Sequence, residues 1–393
     1  MPEEAQEIKK LWNINFVIIL ILGFFTGTAT QMVNPLISQY AVSLGASLTL
    51  AGTIVGIMSG ISMVLRPVSG AACDLLNRKH VMIFSGLVTA ISYAGYLLFN
   101  NIPAIIICRI LQGLSFSFVG VARTAYATEY MPKDRMGEGI SITTFGLVLS
   151  QAIGPNVGIW VSDNWGYRAC FLVALLLSLT GSILLIIQPY KNKRDAIAVS
   201  RIKLNNLVAV DVIPYALFTG VIYINFQLGN SFVVLVGEER GIANVGFYFT
   251  TFSACTLIIR LLSGRVLDKL GLSVILFPAF LFASVSMVMI GSAYGIVFLV
   301  LAAVTKAFSQ AAIPNIHGAC IKSLGKERAG VVGATLLMGQ DLLGFLSPPV
   351  AGFLAMNFGY GNMFHSFALF IILAVPGYML LLKKEKKHPD RQY

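Results

Sequence analysis

One motif occurs twice in this chain, roughly half a chain apart. Residues 66–76 and residues 260–270 share the pattern Arg-x-x-Ser-Gly-x-x-x-Asp-x-Leu. Its shared positions include Arg66, Gly70 and Asp74 in the first copy and Arg260, Gly264 and Asp268 in the second. A repeat at this spacing indicates that a whole unit of structure is duplicated. The chain is therefore predicted to fold as two equivalent halves.

The composition predicts that both halves lie in a membrane. Hydrophobic residues make up 56% of the chain and charged residues 11%, which is far from the balance of a soluble globular domain. The hydropathy predicts an all-α membrane protein of twelve helices, each of roughly 18–25 residues and long enough to cross a ~30 Å hydrocarbon core. The predicted spans are 14–38, 46–68, 81–100, 103–127, 138–161, 168–189, 208–233, 244–264, 273–293, 295–318, 331–355 and 363–382.

The polar segments divide these spans into two six-helix bundles. Residues 14–189 form the first bundle and residues 208–382 the second. The segment 190–207 is polar and basic, and we interpret it as a linker between them. Residues 1–13 and 383–393 are the predicted N-terminal segment and C-terminal tail.

Basic residues give the topology. With the N-terminus inside, nearly all lysines and arginines fall on the cytoplasmic side, and only Arg168 and Arg240 lie at outer loop edges. This positive-inside pattern predicts that both termini are cytoplasmic. The net charge of +11 thus reports topology and is no argument for a nucleic-acid partner. We expect a multi-pass protein of the plasma membrane, most simply a bacterial inner membrane, with the lipid bilayer as its surroundings.

Further pairs of motifs support the duplication. Gln31-x-x-Asn34 in the first span matches Gln227-x-x-Asn230 in the seventh. The sequence Asn-Trp-Gly-Tyr at 164–167 matches Asn-Phe-Gly-Tyr at 357–360, and Pro155-x-x-Gly158 matches Pro-x-x-Gly at 349–352. Matches in the same order along both halves indicate a parallel duplication, with the halves related by an axis along the membrane normal.

This arrangement resembles the major facilitator superfamily of transporters. The residues that carry the resemblance are Gly70-x-x-x-Asp74 with Asn77-Arg78-Lys79, Arg109-x-x-Gln112-Gly113, and Gly154-Pro155-x-x-Gly158. The last of these is similar to a fifth-helix motif of twelve-helix drug:proton antiporters. Two positions depart from the family pattern, because Asn77 stands in place of a glycine and Leu75 in place of a basic residue.

The resemblance implies roles for these motifs. The Gly70–Arg78 loop would act as a latch that holds one state of an alternating cycle, or would serve topology and loop packing only. Arg123, with Glu129 nearby, would belong to the same gate network. Gly154, Pro155 and Gly158 would let the fifth helix bend and pack closely against a partner from the other half.

Arg109, Lys306 and Asp341 lie deep inside predicted spans, where charge is costly. Arg109 has no acid in the spans of its own half. It either bonds to backbone carbonyls and Gln side chains, or it binds an anionic group of the substrate or modulates a proton site by raising the local potential. In the second half, Lys306 and Asp341 both lie near mid-depth, and we expect them to pair, either as a proton device or as a permanent structural bridge.

Polar side chains within apolar spans are candidates for the wall of a water-filled cavity, although some of them will join helices instead. They are Gln31, Asn34, Gln112, Gln151, Tyr223, Gln227, Asn230, Gln310 and Gln340. Aromatic residues of the same spans, among them Phe226, Tyr248 and Phe252, are candidates for apolar contacts, although aromatic residues in spans more often face lipid.

The chain carries no phosphate-binding loop, metalloprotease motif or nucleophile elbow. We expect neither an enzyme nor a cofactor, and the dispersed cysteines and histidines predict no metal site. Because the Gly154–Gly158 motif and the twelve-helix length resemble efflux antiporters, the preferred function that the resemblance implies is export of a small organic molecule coupled to protons, by a monomer. Alternatives are uptake of an anionic metabolite by symport or facilitation, a lipid flippase, and a membrane sensor.

Overall fold

The computed structural model describes residues 11–189, 208–270, 272–324 and 329–387. Within them the chain forms thirteen α-helices and no β-strand. The helices are α1 Ile14–Val33, α2 Ile37–Ser43, α3 Leu48–Leu75, α4 Arg78–Leu98, α5 Ile102–Thr128, α6 Met136–Ile187, α7 Ile213–Glu239, α8 Gly246–Leu270, α9 Ser273–Gly291, α10 Ile296–Gln310, α11 Ala312–Leu324, α12 Ala329–Ile372 and α13 Ala374–Lys387. The predicted linker, 190–207, lies outside the described residues.

The described part of the chain contains nine helical segments long and apolar enough to cross a membrane, which agrees with the predicted all-α membrane fold. Two of these segments, of 50 and 53 residues, exceed the length of one span. Each is bent at a glycine with positive φ, Gly166 at 80° and Gly359 at 79°. These glycines belong to the matched motifs at 164–167 and 357–360. The total of twelve spans stays a prediction.

Positive φ explains why glycine stands at both bends. With ψ values of 169° and 162°, Gly166 and Gly359 occupy a backbone region that is essentially restricted to glycine. In each copy of the motif, the change of direction between two helical stretches therefore occurs at a single glycine. The predicted boundaries, between spans 138–161 and 168–189 and between spans 331–355 and 363–382, lie on either side of these glycines.

The helices group into two compact units. One contains the described residues of Met1–Val33 and Val64–Leu204, and the other those of Asn34–Met63 and Asn205–Tyr393. The segment Asn34–Met63 thus packs with helices from the second half of the sequence. The bundle boundaries drawn from the sequence stay a prediction.

Within the first unit, α6 packs on α1 through glycines. A methyl group added at Gly154 would meet the Gln31 side chain, and one added at Gly158 would meet the carbonyl oxygen of Met32. Pro155 is buried between them. At these two glycines α6 is therefore covered by α1 of the same unit, and the expected contact of this helix with a partner from the other half stays a prediction.

Within the second unit, α12 packs backbone to backbone on α3. Methyl groups at Gly52, Gly56 and Gly352 would each collide with a backbone oxygen across this contact, those of Pro348, Phe345 and Leu48 respectively. We call this contact the α3–α12 seam. A similar approach joins α7 to α12, where Gly220 faces the carbonyl of Gly339. Small residues take this role in membranes because lipid supplies no hydrophobic force between helices, and close packing has to replace it.

The α3–α12 seam predicts a graded cost for added side chains. The exchange Gly352→Ala places a methyl group against the Leu48 carbonyl and should lower the unfolding free energy by about 1–3 kcal/mol, as overpacking does. Gly333→Ala is the matched control in the same helix, because a methyl group there meets nothing within 4 Å. The measurement is the thermal midpoint in detergent, and equal midpoints for the two variants would contradict the close contact.

Candidate functional site

Lys306 lies at the centre of the most complete polar site in the second unit. It projects from α10, and its exposed fraction is 0%. Its Nζ donates to Asn230 Oδ1 on α7 over 2.6 Å and to the Tyr248 hydroxyl on α8 over 3.1 Å. Both acceptors are neutral. Three helices thus converge on a single amine.

Aromatic rings surround the same amine. The Lys306 Nζ lies 4.9 Å from the ring centroid of Phe226, 4.8 Å from that of Tyr248 and 4.5 Å from that of Phe252. We call Phe226, Tyr248 and Phe252 the ring cage. The negative face of an aromatic ring attracts a cation within about 6 Å of its centroid. The cage therefore stabilises an ammonium group without a carboxylate.

One face of α7 leads to the cage. Between Thr219 and Gly237, all residues of this helix are buried except Tyr223, Phe226, Gln227 and Asn230. Their spacing places them on one side of the helix, and Tyr223 stacks on Phe226 with ring centroids 5.3 Å apart. We call these four residues the α7 stripe. The predicted grouping of Tyr223, Gln227 and Asn230 on one face agrees with the structure, and the stripe has the polarity of a cavity wall.

Asp341 lies elsewhere, on the α3–α12 seam. It is 3% exposed, and its Oδ2 accepts a hydrogen bond from Ser62 Oγ over 3.2 Å. Because the bonds of Lys306 go to Asn230 and Tyr248, the expected Lys306–Asp341 pair is wrong. Equal depth along two helices does not decide which way each helix turns its side chain.

Two further predicted residues of this unit join helices. Gln310 is buried and donates its Nε2 to the carbonyl of Ile222, which links α10 to α7. Gln340 contacts His317 across α12 and α11, with 3.2 Å between Nε2 atoms. Both residues act as interhelical contacts, the role that the sequence left open for some of the polar set.

In the first unit, Arg109 forms a network with neutral partners. It is 2% exposed, and its Nη1 donates to Gln112 Oε1 over 2.8 Å. The Tyr96 hydroxyl donates to the same oxygen over 3.0 Å. The bond to Gln112 agrees with the prediction that Arg109 bonds to Gln side chains. Through Tyr96, the same oxygen joins α5 to α4.

The remaining predicted wall residues of this unit are half-buried. Gln31 lies on α1 against Gly154, and Gln151 lies one turn before Gly154 on α6. The Arg123 side chain lies beside Gly23 of α1, and its Nε has no hydrogen-bond partner among the described residues. In the second unit, Asn34 begins a short 3-10 helix, Asn34–Leu36, and is half-buried as well.

Among the predicted gate residues, Arg78 forms an ion pair. This arginine donates to Glu129 Oε1 and to the carbonyl of Ala125, each over 2.9 Å. Glu129 is therefore the partner of Arg78, whereas the sequence had suggested Arg123. Arg66 lies over the ring of Phe116 at 5.4 Å, and Arg260 is exposed. Gly70, Asp74, Gly264 and Asp268 lie outside the residues whose surroundings are described, and the latch stays a prediction.

Sequence reasoning missed several residues of these networks. The sequence presents Tyr248 and Phe252 as candidates for apolar contacts only, and nothing in its patterns singles out Ser62 or Tyr96. One signal was present: Tyr248 and Phe252 stand four residues apart in a span that also carries polar residues, which places both rings on one helix face.

A family model decides the identity of the fold. The model of the Major Facilitator Superfamily matches residues 19–243 and 215–392. The chain belongs to this superfamily. It is a multi-pass membrane transporter of a small-molecule substrate, and it is not an enzyme.

Relatives by sequence include multidrug transporters. The chain is 24% identical over 391 residues to a multi-drug resistance efflux pump PmrA homolog of Lactococcus lactis subsp. lactis, covering 93% of this chain and 94% of that protein. It is 24% identical over 388 residues to the multidrug resistance protein MdtG of Escherichia fergusonii, covering 92% and 93%. An MFS-type transporter of Methanocaldococcus jannaschii is 22% identical over 382 residues, covering 93% and 97%.

Solved structures share the fold. A crystal structure of the nucleoside transporter NupG matches with a TM-score of 0.78 at 14% identity, over 93% of this chain and 99% of that one. The human organic anion transporter MFSD10 matches with a TM-score of 0.64 at 16% identity, over 91% and 97%. At these identities the likeness concerns the fold alone.

The Arg109 network predicts that Gln112 contributes to stability. The exchange Gln112→Leu removes the oxygen that Arg109 and the Tyr96 hydroxyl share as an acceptor, at a cost of about 1.5–3 kcal/mol for a lost hydrogen bond to a charged group. Gln151→Leu is the control, because this half-buried glutamine makes no hydrogen bond to the described residues. Thermal midpoints in detergent should fall clearly for the first variant and little for the second, and the reverse order would contradict the network.

Proposed function

We propose that this transporter exports small organic molecules in exchange for protons, by alternating access. Full-length similarity to two proteins named as multidrug transporters supports export. The resemblance of Gly154-Pro155-x-x-Gly158 to the antiporter motif points the same way. The predicted orientation, with both termini cytoplasmic, and a monomer in the plasma membrane of a bacterium complete the proposal.

The observation that carries proton coupling is the buried contact between Ser62 and Asp341. A carboxyl group inside a membrane span is costly when ionised, so it is a functional residue by default. Here it lies where α3 and α12 approach backbone to backbone. An ionised Asp341 accepts the hydrogen bond of Ser62, whereas a protonated one adds a donor of its own.

Gain or loss of this one proton therefore changes the polar contact across the α3–α12 seam. At the glycines of this seam the two helices are already in close contact, because even a methyl group does not fit between the backbones. A tightly packed contact of this kind responds in discrete steps. Protonation of Asp341 would thus shift the balance between a closed and an opened seam, which is what coupling requires.

Uptake of an anionic metabolite is the second candidate. The buried cations Arg109 and Lys306 favour it, since a substrate carboxylate would compensate either charge. One assay distinguishes export from uptake, because export lowers the cellular content of the probe and uptake raises it.

Asp341→Asn should uncouple transport from protons. Asparagine keeps the acceptor for Ser62 but cannot be protonated in the cycle, so pH-driven accumulation of ethidium in everted vesicles should fall to the level of vesicles without the protein. Exchange of ethidium for ethidium, which needs no proton, should continue. Asp163→Asn, at an exposed acid near the α6 bend, is the control and should change neither rate.

Normal pH-driven accumulation by Asp341→Asn would remove Asp341 as the coupling group. Insensitivity of the unaltered protein to a protonophore would remove proton coupling altogether. If the protein raises the cellular content of carboxyfluorescein and has no effect on ethidium, uptake of anions replaces the proposal.

A further inference from the structure

We propose that Arg123 and Arg66 form a binding site for a phosphate group in the first unit. The phosphate would belong either to a lipid headgroup or to a soluble phosphate compound, since both present the same anionic oxygens. The site lies on one face of α5, formed by Phe116, Gly120 and Arg123, which we call the α5 face. This inference depends neither on the proposed direction of transport nor on proton coupling.

The α5 face lies near one end of its helix. Its residues are spaced by four and three positions, and residues at this spacing lie above one another on one side of a helix. All three are half-buried, so the face is partly accessible. Arg123 lies five residues before the end of α5 at Thr128, which corresponds to about 7.5 Å of helix. In the predicted topology this is the cytoplasmic end.

Arg123 carries a charge that no described residue compensates. Its Nε is buried without a hydrogen-bond partner, and its guanidinium forms no salt bridge within the described part of the chain. Glu129, which follows α5, bonds to Arg78 instead. An arginine in a protein does not become neutral by losing a proton, and an ionised group within a span is costly. An anion from outside the protein would compensate this charge.

Arg66 brings a second guanidinium to the same face. It is 6% exposed, and its Cζ lies 5.4 Å from the ring centroid of Phe116. Phe116 and Arg123 are about 10 Å apart along α5, and the side chains of a helix lean toward its N-terminus, which directs Arg123 toward Phe116. Two positive charges at this distance repel each other, whereas each of them attracts an anion placed between them.

Gly120 leaves room for that anion. A methyl group added at this glycine would meet nothing within 4 Å, although Gly120 lies between Phe116 and Arg123 on the α5 face. On the side of α1 the packing is close, because a methyl group added at Gly23 would lie 3.4 Å from the Arg123 Cδ. The stem of Arg123 is therefore packed against α1, and the space for a ligand lies beside Gly120.

The chemistry of the two side chains favours phosphate. A guanidinium is a planar fork of N–H donors that matches two oxygens of a carboxylate or a phosphate. A carboxylate has two oxygens and one charge, so it satisfies one fork. A phosphate monoester has three free oxygens and a charge of about −1.5 to −2 near neutral pH. It can therefore accept from both guanidiniums and compensate both charges.

The test uses the purified full-length protein in detergent and two probes that share this chemistry. Inorganic phosphate is added at constant ionic strength, and the thermal midpoint should rise with its concentration if the ligand is soluble. Phosphatidic acid is added as the lipid probe, with phosphatidylcholine as the reference lipid, and bound copies are counted by native mass spectrometry. A response to inorganic phosphate assigns a soluble ligand, and a response to phosphatidic acid alone assigns a lipid.

Arginine variants test the charge. Arg123→Gln should weaken binding of the responding probe about tenfold, because hydrogen bonds to a charged group are lost. Arg123→Lys should retain part of the affinity, since it keeps the charge and loses the fork. Arg168→Gln is the matched control, because it removes one positive charge from an exposed position of the same unit and should leave binding unchanged.

Gly120→Leu tests the space and leaves the charges in place. The leucine side chain would fill the space beside Arg123, so it should weaken binding as much as Arg123→Gln does. Gly120→Ala is its control, since a single methyl group meets nothing within 4 Å and should change binding little. Because Gly120→Leu retains both arginines, it decides the question even if Arg123→Gln does not fold.

Four results would overturn the inference: no response to either probe, equal binding by Arg123→Gln and the unaltered protein, unchanged binding in Gly120→Leu, or an equal loss in Arg168→Gln. None of them bears on export of ethidium or on its dependence on protons. Conversely, a protein that binds either probe through Arg123 but does not extrude ethidium would refute the proposed function and leave this site intact.

Discussion

Close contact between helix backbones is the constraint on which the rest of this structure depends. In lipid, helices gain little by hiding apolar side chains from a solvent that is equally apolar, so they must approach closely to associate. Gly154 and Gly158 provide this approach for α6 and α1, and Gly52, Gly56 and Gly352 provide it for α3 and α12. The polar networks are attached to helices that glycine has already fixed in place.

Buried charge is managed by neutral groups in both units. Arg109 bonds to the amide oxygen that Tyr96 also uses, and Lys306 bonds to an amide oxygen, a hydroxyl and three ring faces. An ion pair within a membrane would bind each charge firmly to one partner. In both units neutral side chains supply hydrogen bonds to the buried cation.

The sequence predicted what depends on pattern and not what depends on rotation of helices about their axes. The duplicated motifs located both bends, because only glycine adopts the backbone angles of Gly166 and Gly359. The α7 stripe followed from the helical repeat alone. The pairing of Lys306 with Asp341 failed because depth in the membrane is readable from sequence, whereas the direction of a side chain is set by tertiary packing. The ring cage was missed for the same reason, since a ring facing lipid and a ring facing a charge look identical in sequence.

The grouping of residues 34–63 has a consequence for how the chain is assembled. These residues precede most of the first half in order of synthesis, yet they pack with helices from the second half, through Ser38 on Ser231 and through Gln39 on Glu238 at 2.8 Å. The early segment must wait in the membrane until its partners are inserted. If the chain were divided in the linker and expressed as two fragments, residues 34–63 would be made on one fragment and most of their packing partners on the other.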